Sequence, residues 1–100
     1  MTMRVDYDSQ ADAIAITLVD VDHADYGDPI GDPLAGSVAI ANGKPVEVEV
    51  LSPSLGVEEP LRLAAERYDL DLEALIAAAQ AGLAAPDRAV TIDVGGRLPA

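Results

Sequence analysis

A strict two-residue alternation runs through the first half of this chain and leaves little choice of architecture. In the stretch Arg4 to Leu18, RVDYDSQADAIAITL, Val5 and Tyr7 alternate with Arg4 and Asp6. After a polar break at Ser9-Gln10, Ile14, Ile16 and Leu18 alternate with Ala13, Ala15 and Thr17. A period of two on both sides of a turn is the pattern of an antiparallel β-hairpin. The second arm is apolar on one face and small on the other, which suits a central strand. The pattern returns at Gly36 to Ala41 and at Pro45 to Leu51, where Val46, Val48 and Val50 point one way and Glu47 and Glu49 the other. Between these runs lies Asn42-Gly43, and both central positions of a type I′ turn need the positive φ that Asn and Gly tolerate best.

The period changes after Ser52. Leu61, Ala64, Ala65 and Tyr68 fall at i, i+3, i+4 and i+7, the stripe of an amphipathic helix. Pro60 suits its first turn, and Glu58 and Glu59 suit the positive end of its dipole. Asp69 and Asp71 are candidate N-caps for a second helix, which carries Leu72, Leu75, Ile76, Ala79 and Leu83 on one side, with Gly82 and Pro86 as stop signals. Ala89 to Val94 alternates again as a last strand, and Gly95 to Ala100 is expected to fray. The expectation is one α+β domain over residues 1–100: a β-meander over about 3–51, two helices within 58–84, and a last strand at 89–94. The antiparallel sheet has four to five strands, with both α-helices on one face. The expected core is Val5, Tyr7, Ile14, Ile16, Leu18, Val38, Ile40, Val46, Val48, Val50, Leu61, Leu72, Leu75, Ile76 and Ile92.

Composition narrows the function. The chain has no cysteine, which excludes disulfides, thiolate metal sites and cysteine nucleophiles. Met1 to Asp8 has no apolar leader segment, and the apolar window Leu75 to Leu83 is too short for a membrane span and holds Gln80. The expectation is a cytoplasmic protein with no membrane association. The net charge of −12 repels phosphate backbones, so no nucleic-acid partner is expected. The same field would attract a basic protein and speed its encounter, or serve only to keep the protein in solution.

The segment Asp20 to Pro33, DVDHADYGDPIGDP, is rich in Asp, Gly and Pro and is expected to hold no regular element. Its acids and His23 are the candidate metal ligands, with Asp22, His23 and Asp25 foremost. The spacing fails the calcium-loop pattern, since Ala24 and Gly31 stand where oxygen ligands are required. The bland alternative is a solvated acidic loop that guards a sheet edge. Glu47 and Glu49 share one strand face, where they would serve as a charged surface or as an acid–base pair. Ser9, Ser37, Ser52 and Ser54 fall in turns or at strand starts, outside any nucleophile-elbow pattern, so no catalytic residue is assigned and no cofactor is expected. The two helices are not a DNA-reading pair, because Ala74 to Ala85 contains no Lys or Arg. Ala77, Ala78, Ala79 and Ala81 would pack on the chain's own sheet or form the seam of a homodimer.

The pattern Tyr7-Asp8-x-x-Ala11-Asp12-Ala13-x-x-Ile16-x-Leu18, followed by the Asn42-Gly43 hairpin and Val46-Glu47-Val48-Glu49-Val50-Leu51, resembles a family of small bacterial proteins. The family is catalogued as a domain of unknown function, family twenty-two eighty-three. The resemblance covers roughly the first half of the chain. It departs at Ala15, where the family often has a large, commonly aromatic residue, and it does not reach the Ala-rich helices. The family has no established activity. Its members are encountered near small toxin-like proteins, so the resemblance implies an antitoxin-like role. Of the matched positions, Asp8 and Asp12 are expected to accept turn N–H groups, and Tyr7 to close the hairpin end with its hydroxyl in water.

Two functions remain open on the sequence. One is a non-enzymatic interaction module whose partner-binding surface is Glu47, Glu49, Asp20, Asp22 and Asp25. The other is a small ligand- or divalent-metal-binding protein built on the loop 20–32.

Overall fold

The chain's structure, a computed structural model, describes residues 2–93. It is an α+β fold: β1 (Thr2–Asp8), β2 (Ala13–Thr17), β3 (Tyr26–Ile30), β4 (Gly36–Ala41), β5 (Lys44–Leu51), a short 3-10 turn (Pro53–Leu55), α1 (Glu58–Tyr68), α2 (Leu72–Ala84) and β6 (Ala89–Asp93). All strand pairs are antiparallel, and the spatial order is β3-β4-β5-β2-β1-β6. Val94 and the tail 95–100 lie outside the described residues.

Three differences from the sequence reading have physical causes. First, there are six strands, because part of the Asp-rich segment forms β3. Pro29 is tolerated there because β3 is the edge strand and pairs on one side only. Ile30 anchors it in the core at 1% exposure. Arg67 Nη1 donates to Asp28 Oδ2 at 3.0 Å and to the Pro29 carbonyl at 2.9 Å, and the Tyr68 hydroxyl donates to Asp28. Second, residues 3–51 are not a simple meander. β2 lies beside β5, with Ile14 opposite Val50 and Ile16 opposite Val48, so the segment after β2 crosses the end of the sheet before β3 begins. Third, Gly82 does not stop α2 but lies inside it, where a Cβ would come within 2.7 Å of Val5 Cγ2 and 2.9 Å of Ile14 Cδ1. The glycine lets the helix sit directly on β1 and β2.

The core lies between one face of the sheet and both helices. Val5, Ile14, Ile16, Val38 and Val50 from the strands meet Leu61, Ala64, Leu75, Ala78 and Ala79, all fully buried. Tyr7, Leu18, Leu72, Ile76 and Ile92 of the expected core are only partly buried and pack at its margin. Met3 and Ile30 are buried as well. Asp71 N-caps α2 by accepting from the Ala74 N–H at 3.2 Å. Asp69 instead ends α1 in a left-handed conformation, φ 54°. Asn42 and Gly43 take φ 54° and 76°, as a type I′ turn requires. No helix of the described residues is long and apolar enough to cross a membrane.

Candidate functional site: the uncovered face of the sheet

Alternation sends every second side chain away from the helices, and no element among the described residues covers that face. The strand pairings fix its layout. One row across the sheet runs Thr91, Arg4, Thr17, Glu47, Ala39, Gly27; the next runs Ala89, Asp6, Ala15, Glu49, Ser37, Pro29; a third begins Asp8, Ala13, Leu51. The centre is floored by small residues, and Asp6 and Glu49 stand on either side of Ala15, two strands and therefore about 10 Å apart. Glu47 stands two residues before Glu49 on the same strand face.

The charge on this face is unbalanced. Arg4 is its one base in these rows, and it is engaged with Asp20 at 2.7 Å and with Asp6 at 4.0 Å. No hydrogen bond or ion pair holds Glu47 or Glu49 among the described residues. Partial burial, reinforced by the neighbouring Glu49 and Asp6 carboxylates, pushes the Glu47 carboxyl above its ordinary range. A negative charge is thus held where water solvates it incompletely.

Among the described residues, two of the depressions that open on this face lie beside its acids. The larger, about 580 Å³, has Ala13 and Ala15 among its lining, with Asp6, Asp8 and Glu49 around it and Arg88 at its rim. The second, about 230 Å³, lies toward the other end of β2, among Thr17, Val19, Val21, Ala39 and Glu47. Val19 and Val21 are 52% and 43% exposed. Sequence reading singled out Glu47 and Glu49 but missed Asp6 as their companion. The missing signal was the β1-β2-β5 strand order, which no local pattern carries.

The loop residues fare differently. Asp20 pairs with Arg4, and Asp25 Oδ2 accepts the Asn42 N–H at 2.9 Å. Asp22, His23 and Asp25 line a surface hollow of about 460 Å³. Among the described residues no group of three His, Asp or Glu side chains converges to hold a metal.

The matched turn residues form a junction at the other end of the sheet. Asp8 Oδ1 accepts the Gln10 and Ala11 N–H groups at 3.0 and 3.1 Å. Asp12, at φ 50°, reaches further than a turn residue needs to: its carboxylate accepts the Tyr7 hydroxyl at 2.9 Å and the Ser54 hydroxyl at 2.5 Å, and its carbonyl accepts the Ser52 N–H at 2.8 Å. The Tyr7 hydroxyl is therefore bonded rather than left to water. The Ser54 and Tyr7 bonds hold the Asp12 carboxyl below its ordinary range. Ser9 donates in the same way to Asp87, at 2.6 Å through its hydroxyl and 2.9 Å through its N–H. These hydroxyls are tied to carboxylates at the opposite end of the sheet from His23. Of the alanines considered for a dimer seam, Ala78 and Ala79 are spent on the chain's own core, while Ala77 is exposed.

Compared with protein-family models, with characterised proteins and with solved structures, the chain matches none of them.

Proposed function

We propose that this chain is a protein-interaction module, binding rather than catalytic, that uses the uncovered face of its sheet to hold a basic protein partner. The observation that carries the reading is the row in which Asp6 and Glu49 flank Ala15, with Glu47 beside them, partly desolvated and held by no ion pair among the described residues. A carboxylate held in that state gains from a cation that displaces the remaining water. A second copy of the chain would bring the same acids against themselves, so the charge favours a basic partner over self-association on this face. Asp20 offsets the positive charge of Arg4 by pairing with it, while Asp22 and Asp25 lie on the loop beyond. The antitoxin-like role implied by the resemblance to family twenty-two eighty-three is one form of this reading, with a small basic protein as the target.

The test is affinity capture with the full chain, washed at low and then high salt, beside a Glu47→Gln, Glu49→Gln bait. A basic protein retained at low salt, released at high salt and lost from the double variant is the expected result. Retention that ignores both salt and the double substitution overturns the reading.

A further inference from the structure

The two depressions on the uncovered face have different borders and lie at different levels of the sheet. The larger lies between β1 and β5 at the level of Ala13 and Ala15 and is bordered by carboxylates. The smaller lies at the level of Thr17 and Ala39 and is bordered by the exposed Val19 and Val21, with Asp22, His23 and Glu47 beside them. Three residues along β2 and one strand across separate them, about 11 Å. Seven residues of an α-helix, close to two turns, span about 10.5 Å. An incoming strand pairs only with a sheet edge, here β3 or β6, and neither depression sits on one. A helix lies flat across a sheet, and the small side chains of Ala13, Ala15, Thr17 and Ala39 allow it to come close.

We infer that the partner element seated on this face is a basic amphipathic helix, with an arginine entering the depression between Asp6 and Glu49 and an apolar side chain two turns away entering the one beside Val19 and Val21. The inference rests on the reading of this face as a site for a basic partner and specifies its chemistry. Arginine fits the first position because its planar fork has donors enough for two separated carboxylates, which a lysine ammonium reaches one at a time. Arg88, the base at the rim, stands against Asp6, Asp8 and Glu49, so the depression keeps a net negative charge.

The experiment uses three synthetic probes on the full chain. One is a helical peptide of about five turns with Arg at i and Leu at i+7 on an alanine–lysine background. The second has the same composition with Leu moved to i+9, on the opposite face. The third is an oligolysine of equal charge. Fluorescence anisotropy at physiological salt should rank the first probe at least about tenfold tighter than the other two. Ala15→Tyr should remove that advantage, and Thr17→Tyr provides a second block should the first fail to fold. Amide shift mapping on the unaltered chain should place the first probe on β2 and β5. Equal affinity for the two helical peptides, shifts confined to β3 or β6, or no binding by any probe overturns the helix. If oligolysine binding still disappears in Glu47→Gln, Glu49→Gln, the acidic face survives as the docking surface and only the helical occupant falls. If that double substitution changes nothing, both fall.

Discussion

The two faces of the sheet are built from the same strands and differ in every other respect. On the covered face Val, Ile and Leu are buried against two helices and leave no polar side chain among them. On the open face the alternate positions are mostly Ala, Thr, Asp and Glu, which contribute little to a core and keep Asp6, Asp8, Glu47 and Glu49 in partial contact with water. Fold stability therefore resides on one face, and the proposed binding on the other. Substitutions should separate cleanly by face, and each prediction below either strengthens that separation or breaks it.

The largest effect belongs to the covered face. Leu75 is fully buried, and Leu75→Ala should cost about 2–5 kcal/mol in urea unfolding, a large share of the stability of a domain this size. Thr17→Ala, opposite in facing, should cost no more than about 0.5 kcal/mol in the same assay. Equal losses would break the comparison. Next is Gly82→Ala. Helix propensity alone would favour alanine by about 1 kcal/mol. A Cβ at 2.7 Å from Val5 should reverse the sign and give a net loss of about 1–2 kcal/mol, read from the urea midpoint.

Acid should separate the hydrogen-bonded aspartates from Glu47 by direction. Asp12, Asp28 and Asp87 are held below the ordinary 3.8 by hydrogen bonds from Ser54, Tyr68 and Ser9. Their contribution is present above that value and is lost as pH falls through their depressed folded values. Glu47 is held above its ordinary 4.5, so its desolvated charge opposes folding at neutral pH and is relieved as pH falls through its raised value. Thermal melts should show a stability maximum on the mildly acidic side of neutrality, then a decline below about pH 4. A maximum at neutral pH that Glu47→Gln leaves unmoved would count against a desolvated Glu47. The smallest effect is Glu47→Gln itself. It should stabilise the fold slightly, by no more than about 0.5 kcal/mol at neutral pH, while weakening capture of a basic partner. A gain in stability with a loss of binding is the signature of a residue kept for its partner.

Much of this division was legible in the sequence because alternation is a local signal. Val46, Val48 and Val50 against Glu47 and Glu49 assign both faces of β5 without knowledge of any neighbour. Asn42-Gly43 fixes a hairpin for the same reason. β3 was hidden because Tyr26-Gly27-Asp28-Pro29-Ile30 has poor strand propensity and is held by distant partners, Arg67 and Tyr68 on α1. Asp6 was hidden as a companion of Glu49 because their proximity depends on β2 lying between β1 and β5. That is a property of strand order, and strand order is set by long-range packing that no short window records. Gly82 looked like a helix terminator because a clash with Val5 is visible only once the helix is laid on the sheet.

The pairing of β1 with β6 joins Thr2 to Asp93, nearly the whole described chain apart. During synthesis, β1 emerges well before its outer partner. At ordinary elongation rates the interval is on the order of ten seconds. Throughout it, Met3 and Val5 belong to an unfinished margin, open to pairing with any other nascent chain. Crowded polysomes would expose that interval most, and early loss of the segment after α2 would make it permanent.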